Sequence, residues 1–298
     1  MDCALCQKNP QNEDSHIIPA FVFRWLKKTS ATGFMRGTED PNRRIQDGKK
    51  YPLLCEECED RLSVFEGAFA SKVFHPYAQT KQIGLPYDES GLRFFVSLVW
   101  RALHHLWITD TDPNKPLQPE FEGVLDEPYN VWREFLLDQR PHPGRFTIHV
   151  FPVDNVTGST VPNTPSKTSE YNTGAIDMDL VCCESYGHVY VKIPYFLIFG
   201  TLFEKRSAKF SQNTQIRLKK GTLGGRSMGM PDNIMDYIHT RSRLVEDKAK
   251  LLTEKQLEVM LKAAERNPER VAASRSLESA EFDARLKSKS EQDVTPYA

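Results

Sequence analysis

Two Cys-x-x-Cys pairs constrain this chain more than any other feature: Cys3 with Cys6, and Cys55 with Cys58 about fifty residues later. A Cys-x-x-Cys turn presents two thiolates to one ion, and two such turns complete the tetrahedral four-sulfur set that zinc prefers. Gly33, Gly37 and Gly48 lie between the pairs and supply turns for a compact segment. The four cysteines therefore read as ligands of a structural zinc. The alternative, a redox pair, sits alone at a helix start after a buried strand, and only two residues precede Cys3 here.

The remaining composition bounds the answer loosely. A length of 298 residues allows two domains, or one with extensions, and a sizeable core. The net charge of -1 gives no global pull toward nucleic acid or membrane, so any such attraction must be local. Met1-Asp2-Cys3 has neither a basic start nor an apolar run, and the expected compartment is cytoplasmic. The most apolar stretch, 94 to 108, is too short for a span and contains Arg101, His104 and His105, so it reads as a buried helix with no membrane partner. Adjacent Cys182 and Cys183 would point to opposite faces of a strand, which suits core packing and not a shared metal.

Along the chain, Ile17 and Ile18 suggest a short strand, and Pro19 is placed to open a helix through Lys28. From 16 to 50 the charge is locally basic: eight Lys and Arg against Glu39, Asp40 and Asp47. Within it, Arg24, Lys27, Lys28, Arg43 and Arg44 are candidate nucleic-acid-binding residues, although a solvated face has the same composition. Cys58 leads into a helix to about Phe74, with Leu62, Phe65, Phe69 and Val73 as its buried stripe, and His75-Pro76 is expected to end it. Glu59 and Glu66 share a face but are two turns apart, about 10 Å, so at most one can serve a given ion. A second strong helix covers 89 to 109, with Arg93, Ser97, Arg101 and a histidine as a narrow polar line. The histidines are expected to favour the helix carboxyl end through its dipole.

Residues 111 to 128 read as a Pro- and Asp-rich connector, followed by a short helix over 129–139. Strands are expected over 145–153, 175–183 and 188–196, with an exposed loop over 155–173. A flexible basic loop is expected over 205–226; its Gly224-Gly225 lacks a P-loop ending. Pro231 opens a long helical region to about Arg266, and the tail beyond it looks frayed or disordered. The organisation expected is α+β: a zinc-binding unit over 1–75, a core helix and connector over 76–128, a mixed part over 129–266 and a tail over 267–298.

Cys3-x-x-Cys6, then Ser15-His16-Ile17-Ile18-Pro19, then Leu53-Leu54-Cys55-x-x-Cys58 followed by a helix resembles the zinc-bearing branch of the HNH endonuclease superfamily. The resemblance covers about residues 1 to 75. It implies a ββα-metal, treble-clef-like finger, with His16 as general base toward water and a second divalent ion, Mg2+ or Mn2+, at the scissile phosphate. Imidazole chemistry near neutral pH and charge neutralisation by a cation both suit that role. Three positions depart from the family pattern. Ser15 stands where Asp or His usually precedes the catalytic His, Lys50 stands where Asn is usual, and Glu59 replaces the His or Asn after the fourth Cys. Glu59 remains a competent ligand for a hard cation.

Two functions follow. One is a metal-dependent endonuclease hydrolysing phosphodiester bonds, with His16 as catalytic residue and Glu59 on the catalytic ion. The other is a non-catalytic zinc module that binds nucleic acid or a protein partner, in which His16 only packs.

Overall fold

The apolar run after Asp88 forms helix α4 (Glu89–His104), around which the larger of two units is built. In the computed structural model, residues 1–11, 15–37, 39–109, 119–156, 164–205, 210–224 and 230–292 are described. The protein is α+β, and the two units interleave along the chain. One comprises Met1–Pro19, Gly48–Pro152 and Ile176–Pro231; the other comprises Ala20–Asp47, Val153–Ala175 and Asp232–Ala298. Residues 1–75 thus contribute to both. No helix among the described residues is long and apolar enough to cross a membrane.

The first unit opens with β1 (Ser15–His16), which pairs antiparallel with β4 (Lys50–Tyr51), so that Ser15 faces Tyr51 and His16 faces Lys50. The strand lies two residues earlier than Ile17 and Ile18 suggest; those two side chains are buried in the bend that follows. Helix α2 (Glu56–Phe69) starts directly after Cys55 and buries Cys58, Leu62 and Phe69. The expected stop at His75-Pro76 does not occur. A π-helical turn (Ala70–Phe74) leads into α3 (His75–Thr80), with Pro76 in its first turn and His75 in helical conformation. The wider π turn before it, closed by the His75 N–H on the Ala70 carbonyl, accommodates Pro76 at the start of α3. The run ends at Lys81, whose φ of 55° is left-handed and whose N–H donates to the Tyr77 carbonyl at 2.8 Å.

Helix α4 is capped by Asp88, which accepts from the Ser90 backbone N–H at 3.0 Å, and continues through a π-helical turn (His105–Thr109). Twelve of its sixteen residues are buried, including Ser97 and Arg101. Its aromatic residues bind the layers together: Phe94 stacks on Phe69 of α2 at 3.9 Å between ring centroids, and Phe69 meets Phe196 edge-on at 5.6 Å. The connector expected up to Pro128 is instead helix α5 (Pro119–Leu136), with Pro128 inside it; residues 111–118 lie outside the described set. Pro costs this helix one hydrogen bond, but Leu125, Tyr129, Trp132, Phe135 and Leu136 are buried along it. That apolar face outweighs the single lost bond.

Against α4 lies an antiparallel sheet of β6 (Ile148–Pro152), β7 (Asp177–Cys182), β8 (Tyr186–Ile193) and β9 (Phe196–Glu204), in spatial order β6-β9-β8-β7. The strand expected over 188–196 is most of β8, the turn after it and the first residue of β9. Tyr195, at φ 68°, turns the hairpin between them. Gly200 on β9 lets α4 and α5 approach: an added Cβ would lie 2.9 Å from Trp132 and 3.1 Å from Val99. The basic stretch after Glu204 is not a free loop where it is described. Phe210, Thr214 and Ile216 are buried, and β10 (Lys220–Leu223) pairs with β5 (Leu85–Asp88). Arg206, Lys209 and Arg226 lie outside the described residues.

The second unit holds α1 (Ala20–Thr29), the short hairpin β2 (Met35–Arg36) with β3 (Arg44–Ile45), and α6 (Thr168–Gly174). Helices α7 (Asp232–Ala249), α8 (Glu254–Glu265), α9 (Pro268–Ala272) and α10 (Arg275–Gln292) complete it. Part of the loop expected over 155–173 is therefore helix α6, with Ser169, Tyr171 and Thr173 buried; residues 157–163 are outside the described set. The tail is helical through Gln292, because α10 supplies α6 with partners. Asp283 accepts from the Ser169 and Glu170 backbone N–H groups at 2.7 and 3.0 Å, and Ser279 bonds Thr173 at 2.6 Å.

Candidate metal centre

The four cysteines at the two Cys-x-x-Cys turns converge. The sulfurs of Cys3, Cys6, Cys55 and Cys58 lie within 4.8 Å of one another, and those of Cys6 and Cys55 are 3.7 Å apart. Tetrahedral coordination at about 2.3 Å per bond sets sulfurs about 3.8 Å apart, whereas a disulfide needs about 2.0 Å. All four are free thiols, and the arrangement suits a structural metal such as zinc.

Local backbone builds each half. In the first turn, the Gln7 N–H closes on the Cys3 carbonyl at 2.8 Å, with Gln7 left-handed at φ 58°. In the second, Cys55 is the N-cap of α2, and the Cys58 and Glu59 N–H groups donate to its carbonyl at 3.1 and 2.9 Å. The Ala4 N–H donates to the Leu53 carbonyl at 2.9 Å and joins the halves. Arg133 of α5 donates to the Leu5 carbonyl at 3.3 Å, and Leu5 itself is fully buried. The cluster is thus seated on the core of its unit. Asn9 adds an outer contact: its side-chain amide lies 3.9 Å from the Cys55 sulfur and donates to Glu57 at 3.1 Å.

Crowding four thiols perturbs them. Accepting from the Cys58 thiol holds Cys3 well below the usual thiol range, and the same contact, with burial, pushes Cys58 up. Burial also raises Cys55. One thiolate shared among several thiols is what these contacts leave; a divalent cation would let all four deprotonate together.

The other expected site residues separate into two groups. His16 is half-buried on β1, with its Nε2 shielded from solvent. Its main-chain carbonyl accepts from Arg101 Nη1 at 3.0 Å. Arg101, 1% exposed in the middle of α4, also pairs with Glu66 of α2 at 2.8 Å. One buried guanidinium therefore ties the strand of His16 to the helix of Glu59, and it occupies Glu66. Glu59 is half-buried in the first turn of α2, and its Oε1 is enclosed with no hydrogen-bond partner among the described residues. Ser15 is fully buried and accepts from the Leu54 N–H at 3.0 Å; it zips β1 to the second turn and is not available to an ion.

Arg24, Lys27, Lys28, Arg43 and Arg44 all belong to the second unit, and His16 and Glu59 to the first. Arg24, Lys28, Arg43 and Arg44 are exposed and Lys27 half-buried. His104, at the end of α4, does not serve its dipole as a charged group. Burial, with the neighbouring His105, lowers His104 to about 4, and its Nδ1 lies 2.9 Å from the Tyr129 hydroxyl. Desolvation outweighs the dipole there. Arg101 had one signal in the sequence, its place in the narrow polar line of an otherwise apolar helix; Arg133 and Asn9 had none.

Compared with family profiles, curated proteins and solved structures, the chain finds no match in any of the three.

Proposed function

We propose that the first unit is a zinc-stabilised, metal-dependent nuclease module of the HNH type acting on nucleic acid. The observation that carries this reading is the enclosed, unpartnered Oε1 of Glu59. A buried carboxylate oxygen without a donor is costly unless a cation or ordered water meets it. It stands in the first turn of α2, which follows β4, the antiparallel partner of the His16 strand β1; α1, β2 and β3 lie between those two strands along the chain. Glu59 fits a divalent ion that keeps most of its ligands as water, the habit of Mg2+.

In this reading Cys3, Cys6, Cys55 and Cys58 hold Zn2+ and fix the start of α2. Arg101 and Glu66 hold the backbone at His16. The imidazole takes the proton from a water whose oxygen attacks phosphorus, and the bond from phosphorus to the leaving sugar oxygen breaks. Glu59 would hold the Mg2+ or Mn2+ ion, which when bound offsets the charge that builds on the phosphate. Arg24, Lys27, Lys28, Arg43 and Arg44 supply backbone attraction from the second unit.

A second reading is a zinc module that binds nucleic acid or a protein without cutting. The shielding of His16 Nε2 favours it, because a general base must reach water. Incubating supercoiled plasmid and structured RNA with Mg2+, with Mn2+ and with neither separates the two. The nuclease reading expects metal-dependent cleavage by the wild type. It expects no cleavage by His16→Ala at unchanged zinc content, and partial recovery of Glu59→Gln at high Mn2+. Intact substrates that are nonetheless bound by the wild type leave only the binding module.

A further inference from the structure

The β2–β3 hairpin sets two arginines against each other: Arg36 pairs directly with Arg44. Like charges in directly opposed positions destabilise a strand pair unless something offsets them. Here both guanidinium groups sit over one ring, Arg44 at 4.3 Å and Arg36 at 5.3 Å from the Phe34 centroid. Such contacts are favourable in themselves, but they draw the two cations together.

The two arginines are not equivalent. Arg36 is braced, with Nη1 donating to the Pro41 carbonyl at 2.7 Å and Nη2 to Gln256 Oε1 at 2.9 Å. Its Nε is buried with no hydrogen-bond partner among the described residues. Burial and the Arg44 charge push the Arg36 guanidinium down from its ordinary value, with Asp40 opposing. Asp40 is itself engaged, accepting from the Asn42 N–H at 2.9 Å. Arg44 is exposed.

We propose that Arg36, Arg44 and Phe34 form a clamp for one backbone phosphate of nucleic acid. An exposed guanidinium over a ring, with a second, braced guanidinium over the same ring, gathers two positive charges at one point and leaves the fork of Arg44 open to phosphate oxygens. The polymer class rests on the nuclease or nucleic-acid-binding reading above. The clamp goes beyond a diffuse basic face: it includes Arg36 and Phe34, and it makes Arg44 unequal to Arg24, for which no ring contact is seen among the described residues.

The test is fluorescence anisotropy of a labelled DNA duplex and the matching RNA, titrated with the full chain without added Mg2+ or Mn2+, so that binding is read apart from cleavage. Arg44→Ala is expected to weaken binding about tenfold at low salt and to lower the slope of log affinity against log salt by about one. Arg44→Lys should recover only part of this, because an ammonium lacks the fork. Phe34→Leu should weaken binding less than Arg44→Ala. Unchanged affinity and slope in Arg44→Ala, at unchanged thermal melting, overturn the clamp, as does an absence of wild-type binding at low salt. Displacement by inorganic phosphate well beyond that by chloride at equal ionic strength overturns its assignment to a polymer. If Arg44→Ala loses binding and no variant or wild type ever cuts, the clamp stands and the nuclease reading falls. If His16→Ala stops cleavage while Arg44→Ala binds normally, only the clamp falls.

Discussion

The two units are held by different physics. The first has α4 buried along most of its length, a phenylalanine cluster running from α4 through α2 to β9, and four sulfurs gathered at one point. In the second, α8 and α9 bury no residue fully, and side chains reaching to backbone do much of the joining. Arg270 donates to the carbonyls of Ser30 and Lys27 at 2.9 and 2.5 Å. Asn42 spans to Leu251 and Thr253, and Asp283 caps α6. Burial is additive over area and tolerates small losses, whereas each polar tie contributes about 1 kcal/mol and depends on its geometry. The first unit should therefore fail as a whole when its centre is removed, and the second piecemeal.

Cys55→Ser offers the hardest test of that contrast. A structural zinc contributes on the order of 10 kcal/mol of folding free energy, so losing one thiolate should unfold the first unit outright. Stripping the metal with a chelator should do the same. Metal analysis finding no zinc in freshly purified, reduced wild type would remove the basis for it. If the contrast holds, hydrogen exchange should report collapse in 1–19 and 48–152 while α10 stays protected.

A smaller effect sharpens the same comparison through pH. His149 and His188 are buried in the sheet of the first unit, and burial lowers them to about 4 and about 3, with His149 adding to the effect on His188. Their folded values lie below the unfolded one near 6.5, so the unfolded chain takes up protons first. Their contribution is intact above about pH 6.5 and is lost as pH falls from there toward 4 and 3, by about 2 kcal/mol each at pH 5. Thiolate ligands weaken in the same direction. His188 separates the causes, because neither of its ring nitrogens has a hydrogen-bond partner among the described residues. His188→Leu should leave stability at pH 7 unchanged or higher and flatten its fall toward pH 5; denaturant melts at both pH values will show an equally steep fall if the histidine is not responsible.

The smallest expected change lies in the second unit. Asn42→Ala deletes its bond to the Leu251 carbonyl at 3.1 Å and its acceptance from Thr253 N–H at 2.9 Å. Both are exposed, so the loss should be about 1 to 2 kcal/mol, confined to protection of the turn between α7 and α8. A matching loss in the first unit would mean that the units do not fail separately.

The resemblance that prompted a nuclease reading was legible only where chemistry repeats at fixed spacing. The cysteine turns have a local cause, and so does α4, whose apolar run has no alternative to burial. His16 was legible as a candidate, but its setting was not. Ser15 resembled a weakened ligand and proved to be a buried hydroxyl accepting from the Leu54 backbone N–H, while Glu66 resembled a spare carboxylate and proved to be the partner of Arg101. Such pairings join residues 35 or more positions apart, and no periodicity encodes them.

The sequence by itself determined the four-sulfur set, the core helices α2 and α4, and the α+β class, because spacing and apolar pattern act within a few turns of chain. Tertiary structure decided the rest. Helix α5 persists through Pro128 because its apolar face is buried. Residues 168–174 are a helix and not a loop because Asp283, 114 positions from Ser169, satisfies the N–H groups at its start. The tail is ordered for the converse reason. Local propensity is worth tenths of a kcal/mol per residue, and a buried face or a satisfied helix end exceeds it.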